Sequence, residues 1–250
     1  MTLIVFGGPS LAPGARERFP ELSLRGPARQ GDVYLALRES PKAIGIIDGF
    51  FDAVPSVWHK EVLWAMAQGV HILGASSIGA LRAAELESFG MEGVGSVYEA
   101  FRDGALEDDD EVAVTHGPLE LGHRPLTLAM VSIRATLAAF PADQLEEPTS
   151  LALYRDAAKA LGYRERTVSR ISARALERGG HRADIDTLAA QVSEKLVDVK
   201  AEDAETLLTM MRDRAAEFLE PKTVRYTFND TSAWRAFVAW AERQAWPRVA

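Results

Sequence analysis

An α/β fold is what this sequence predicts: a mostly parallel sheet with helices on both faces, followed by a helical C-terminal portion. Three observations predict it. Short apolar, β-branched runs recur at residues 2–6, 43–48 and 70–74, and strands buried on both faces read as continuous runs of this kind. Amphipathic stretches of helical length separate them, which argues for a parallel sheet. After Pro141 glycine becomes sparse, such runs disappear and helical periodicity dominates to about residue 220. The pattern is Rossmann-like. It divides into an α/β core domain over residues 1–142 and a helical portion over residues 143–250.

The elements follow in order. The run 2–6 ends in Gly7-Gly8-Pro9, and a shorter strand is expected at 21–25. A helix over 31–39 opens with Gly31-Asp32, where Asp32 is the expected cap. A helix over 55–68 has Pro55 near its first turn and stops before Gly69. A helix over 77–88 follows the third strand directly and stops before Gly90. A short helix is expected at 94–102, with Val97, Tyr98 and Phe101 on one face. Residues 107–111, Glu-Asp-Asp-Asp-Glu, read as a solvated acidic loop, since they lack the spaced glycine of a calcium loop. A short strand at 112–115 and an amphipathic helix at 126–139 complete the core.

Composition narrows the chemistry. The chain has 250 residues, 47% of them hydrophobic, and a formal net charge of −8. An acidic chain is a poor general ligand for nucleic acid, where binding rests on neutralising phosphates. Arg16, Arg18, Arg25 and Arg29 lie close together but read as a solvated surface. There is no cysteine, which excludes disulfides, thiolate metal sites and a cysteine nucleophile. No metal or cofactor is expected. The N-terminus lacks a signal-peptide pattern, and no apolar run approaches the roughly 18–20 residues of a membrane span. A cytoplasmic protein is expected.

Ligands of open parallel sheets bind beyond the carboxyl ends of the strands. Three segments are predicted there: Gly7-Gly8-Pro9-Ser10, Asp48-Gly49 and Gly74-Ala75-Ser76-Ser77-Ile78-Gly79. The third has the form of a nucleophile elbow, with Ala75 two before Ser77 and Gly79 two after it. Ser77 is the candidate nucleophile. Gly7, Gly8, Ser76, Ile78, Gly79 and Arg82 are the candidate groups for substrate or an oxyanion, helped by the helix N-terminus. The same geometry serves a serine that merely caps the helix, or one that binds an anion. A serine nucleophile needs a base within hydrogen-bond reach. His71 lies in a strand, His181 in the helical half and His123 in a loop. His59 and His116 remain, with Lys60 a third choice, since Ser–Lys pairs are a known variant. Asp48 is placed to orient a base or bind a ligand, or to serve as a turn residue. The Gly7-Gly8 turn lacks the third glycine of a dinucleotide site and the Lys-Ser/Thr of a phosphate loop.

Several of these segments, in order, resemble the TfuA-like core domain. They are Val5-Phe6-Gly7-Gly8-Pro9-Ser10-Leu11, Gly31-Asp32-Val33, Ile44-Gly45-Ile46-Ile47-Asp48-Gly49, Pro55-Ser56-Val57-Trp58-His59-Lys60-Glu61, and Gly74 through Leu86. Phe89-Gly90-Met91-Glu92-Gly93-Val94-Gly95, Asp109 through Val114 and His116-Gly117-Pro118 continue the series. The resemblance covers about residues 2–140. It implies a role beside a YcaO-type cyclodehydratase, which activates a peptide amide with ATP so that sulfide replaces its oxygen. It also implies a thiocarboxylated sulfur-carrier protein of the ThiS type as the sulfide source, with a precursor peptide as a further partner and neither nucleic acid nor membrane. The expected activity is serine-centred hydrolysis of the thiocarboxylate. The alternative is a non-catalytic module that docks on the YcaO-type enzyme and activates it. The serine turn is also similar, over a few residues, to that of Clp-type peptidases.

Overall fold

The computed structural model describes residues 2–50 and 54–244. The expected strands at 2–6, 21–25, 43–48 and 70–74 form as β1 (Leu3–Phe6), β2 (Ser23–Arg25), β3 (Ala43–Ile46) and β4 (His71–Ala75). Short α1 (Ala15–Arg18) links β1 to β2, α2 (Asp32–Ala36) links β2 to β3, and α3 (His59–Ala67) links β3 to β4. Helix α4 (Ile78–Leu86) follows, then a strand the apolar pattern does not reveal, β5 (Glu92–Val94), and α5 (Ser96–Arg102). β5 escapes detection because its three residues, Glu-Gly-Val, form no apolar run. The sheet order is β2-β1-β3-β4-β5 and every pairing is parallel. In this order the connections reverse direction between β1 and β3, which opens a crevice at their carboxyl ends.

The chain continues through α6 (Met130–Ala138), α7 (Thr149–Lys159), α8 (Val168–Glu177), α9 (Arg182–Glu194), α10 (Val199–Asp213) and α11 (Ser232–Ala241). It forms two compact units: residues 1–107 with 201–250, and residues 108–200. The units divide differently from the expected boundary at residue 142, and burial explains why. Ala204, Leu207, Leu208 and Met211 of α10 join Leu3, Val5, Leu73 and Ala75 of the sheet in one apolar cluster, with Phe19 after α1. Met130, Ile133 and Leu137 of α6 instead pack with Tyr154, Ile171, Ile185 and Leu188 of α7, α8 and α9. In the first unit, Trp234 and Phe237 of α11 pack among Tyr34, Trp58, Trp64 and Phe228.

Two buried carboxylates cap helices far from them in sequence. Asp32 does not cap α2; it is the first helical residue, and Gly31 holds the cap position. The cap is Glu61 of α3, fully buried, which accepts from Gly31 N at 3.0 Å, Tyr34 N at 3.2 Å and Trp58 N at 2.8 Å. Asp203 of α10 accepts from Ser96 N at 2.9 Å and Val97 N at 2.8 Å, at the start of α5. Gly95 is required there, because a Cβ would stand 2.2 Å from the Asp203 carboxyl carbon. Arg25 is likewise not a surface residue. It is buried at the end of β2 and pairs with Glu39 at 2.7 Å.

The second unit departs from expectation at its start. Residues 112–115 form no strand; the backbone makes a 3-10 turn at Asp109–Glu111 and a single antiparallel bridge between His116 and Pro125. The acidic run is not solvated throughout. Asp110 accepts from Arg166 at 2.6 Å and pairs with Lys159; Glu111 is buried and pairs with Arg134 at 2.9 Å. Arg166 is fully buried and also donates to the carbonyls of Ala158, Asp110 and Leu161. Burial acts to raise the Asp110 carboxyl, but the two cations outweigh it and hold it below the ordinary value.

Two outcomes follow from these carboxylates. Complete burial dominates at Glu61 and pushes its pKa up to about 7, against the backbone donors that pull it down. A carboxyl that holds its proton more tightly folded than unfolded stabilises the fold below its unfolded value. That contribution is lost as pH rises through 7, a change of up to about 3 kcal/mol. Urea denaturation at pH 5 and pH 8 should therefore show a larger loss of stability for the natural chain than for Glu61→Gln. In the second unit, Arg166→Met leaves the Asp110 carboxylate with Lys159 alone and takes a buried donor from three carbonyls, and should lower stability by about 3–5 kcal/mol in the same assay.

Candidate functional site

The carboxyl ends of β1, β3 and β4 place three glycine-bearing turns along one sheet edge. Asp48 follows β3 and is buried. Its Oδ2 accepts from Gly8 N at 2.8 Å and Ser10 N at 2.9 Å, and its Oδ1 accepts from Ser10 Oγ at 2.7 Å. The turn after β1 is thus tied to β3 across the switch-point crevice. Ser10, which sequence reasoning did not single out, is part of this brace. The Asp48 carboxylate has all its described partners in the Gly-Gly-Pro-Ser turn, with no histidine among them.

The turn after β4 is built by close backbone approach. A Cβ at Gly79 would stand 1.7 Å from the Ile46 carbonyl oxygen, and one at Gly74 would stand 2.1 Å from the Gly79 oxygen. Only glycine admits this contact, and Gly79 N uses it to reach the Ile47 oxygen at 3.3 Å. The chain then reverses in one residue. Ser76 takes φ +70°, rare for a residue with a side chain, and Ser77 N donates to Ala75 O at 2.8 Å. That is the strained three-residue γ-turn. Ser76 Oγ is buried without a hydrogen-bond partner among the described residues.

Ser77 occupies the N-cap position of α4, but its side chain makes no capping hydrogen bond. The plain capping reading therefore loses its support. Ala80 N and Leu81 N donate to the Ser77 carbonyl, and Gly79 N to Ile47. The N–H of Ile78 is left at the first helical position, where no intrahelical acceptor exists. In a nucleophile elbow the N–H directly after the serine is an oxyanion donor. Gly7 N and Gly8 N, two of the expected donors, are instead committed to Arg25 O and Asp48.

The candidate bases do not converge on this turn. His59 Nε2 lies 2.8 Å from Glu85 Oε2, eight residues beyond Ser77 and about 12 Å along the helix by rise per residue. Arg82, expected near substrate, donates through Nε to Val57 O at 2.9 Å and through Nη1 to Glu85 at 2.5 Å. Burial acts to raise the Glu85 carboxyl, but His59 and Arg82 outweigh it and keep it below the ordinary glutamate value. Nothing in the spacing marks Glu85 as the partner of His59. Lys60 donates to Thr231 Oγ1 at 2.8 Å, ahead of α11. His116 belongs to the second unit, where its Nδ1 lies 2.8 Å from Gly117 O and its ring meets His123 edge-on. Among the described residues no cluster of three or more His, Asp or Glu is arranged to hold a metal. None of their helices is long and apolar enough to cross a membrane. A cleft of about 450 Å³ lies at the opposite sheet edge, beside Lys42 and Val70 at the amino ends of β3 and β4; it contains none of these groups.

Fold and site define an open parallel α/β protein with a serine turn at its carboxyl edge. Residues 48–167, just under half of the chain, match the family described as TfuA-like protein. The match includes Asp48, both serines and Arg166, and leaves out Gly7 and Gly8. No curated protein matches the chain. Among solved structures, the RcsB response regulator of Salmonella typhimurium aligns over 85% of this chain and all of its own, at 11% identity and a TM-score of 0.24. A likeness that distant carries no argument.

The brace can be tested apart from catalysis. Asp48→Asn keeps one oxygen for the two backbone donors and turns its amide toward the Ser10 hydroxyl, so stability should change by less than about 1 kcal/mol. Asp48→Ala strands buried Gly8 and Ser10 donors and should lower stability by about 2–4 kcal/mol, measured by chemical denaturation.

Proposed function

We propose that this protein works beside a YcaO-type enzyme in forming peptide backbone thioamides, and that it releases the sulfide by hydrolysing the C-terminal thiocarboxylate of a ThiS-type carrier protein. The observation that carries the reading is the turn at Ser76-Ser77. A serine hydroxyl that caps nothing precedes an N–H without an intrahelical acceptor, at a helix N-terminus. The family match supplies the context. Ser77 Oγ attacks the thiocarboxylate carbon, and the Ile78 N–H and the positive end of α4 face the developing oxyanion. The C–S bond breaks and an ester to Ser77 forms. The proton of the serine hydroxyl leaves with the sulfide. Water then hydrolyses the ester and returns a carboxylate and the free serine. In this sequence the leaving sulfide accepts the serine proton, which suits a turn whose described neighbours include no histidine or lysine bonded to the serine.

A second reading is a docking module without chemistry, with the same turn binding an anionic terminus. The near-complete burial of Ser77, 3% exposed, favours it. One measurement separates the two. With a thiocarboxylated carrier, Ser77→Ala should keep its fold and release sulfide slower by several orders of magnitude, because loss of a nucleophile removes most of the activation. A folded variant that releases sulfide at the natural rate would sink the hydrolytic reading.

A further inference from the structure

The cleft at the amino edge of the sheet has the features of a second, independent site. It holds about 450 Å³, within the range of small-molecule pockets. Its wall combines flat apolar surface from Trp64, Val70 and Pro221 with the polar groups of Gln68 and Lys42. One rim is already neutralised: Glu242, just after α11, accepts from Arg38 and, at 3.1 Å, from the Tyr34 hydroxyl. With Arg38 and Glu242 paired, Lys42 is the remaining full charge in the lining. Its ammonium has no partner among the described residues; its backbone alone is bonded, to Thr2 and His71. The C-terminal end of α3 at Gln68 adds a partial negative charge of roughly half a unit, less than the whole positive charge of Lys42.

We propose that this cleft binds a small organic carboxylate with a flat apolar body, held by Lys42 through a charge-assisted hydrogen bond and by the indole of Trp64 against its ring. The sum of charges selects an anion. The apolar wall selects a ring or a branched chain over a bare inorganic ion, because a hydrated ion would leave Trp64, Val70 and Pro221 without contact. The site stands at the strand ends opposite Ser77 and is independent of the sulfide-release reading.

The test uses the full chain and isothermal titration calorimetry with 2-naphthoate, and with 2-naphthamide as the uncharged match. Saturable binding of 2-naphthoate with a Kd at or below about 1 mM is expected for a ligand of this size, with at least about tenfold weaker binding of the amide. Lys42→Met should weaken 2-naphthoate by the same factor and leave 2-naphthamide unchanged. Lys42→Arg should retain the acid, which guards against a folding artefact. Ser77→Ala should bind 2-naphthoate like the natural chain. Absence of saturable binding, equal affinity for acid and amide, or an undiminished Lys42→Met would each overturn the proposal.

Discussion

The backbone contact between the first turn of α4 and the ends of β3 and β4 is the constraint on which the site depends. Gly79 lies against the Ile46 carbonyl so closely that a methyl group has no place, and Gly74 meets Gly79 in the same way. Because helix and strands approach this far, the connecting residues have no length to spare. Ser76 must reverse the chain alone, at a left-handed φ that costs an L-residue on the order of 1 kcal/mol. The strain is held by packing on every side: Ala75, Ile78 and Ala80 are all buried. The outcome is a helix whose N-terminus is fixed to the sheet edge, with Ser77 and the Ile78 N–H set in place by backbone alone.

Around that contact, distant carboxylates terminate the helices. Glu61 serves α2, Asp203 serves α5, and Asp184 of α9 accepts from Glu146 N at 2.9 Å and Glu147 N at 2.8 Å ahead of α7. Each joins segments at least 27 residues apart. A cap of this type does two tasks at once, satisfying orphan N–H groups and fixing one element against another. Asp48 applies the same device to a turn instead of a helix. A buried carboxylate with backbone donors holds position, and the described partners of Asp48 point to that role at the crevice.

Each unit combines an apolar cluster with a few buried charges that are individually satisfied. In the second unit, Arg166 meets Asp110 and three carbonyls in full burial. Such a group is destabilising if any partner is removed, which makes the acidic run at 107–111 a structural element. The sequence presents that run as a cluster of like charges, which ordinarily repel and solvate one another. Its cations lie 23 or more residues later, on α6 and α7 and just before α8.

What the sequence determined by itself is what depends on local chain chemistry. Continuous apolar runs revealed β1, β3 and β4, because strands buried on both faces need apolar residues at every position. Glycine spacing revealed the elbow at 74–79, because the close approach excludes every other residue at Gly74 and Gly79. The parallel order followed from alternation of strand and helix. Tertiary structure decided everything that rests on partners far along the chain. Asp48 became a brace because the β1 turn lies beside it. His59 and Lys60 went to Glu85 and Thr231 because α3 places them next to α4 and the start of α11. The unit boundary moved because the apolar face of α10 covers the sheet while that of α6 packs with α7, α8 and α9. Periodicity shows that a helix has an apolar face; only the folded chain shows which surface that face meets.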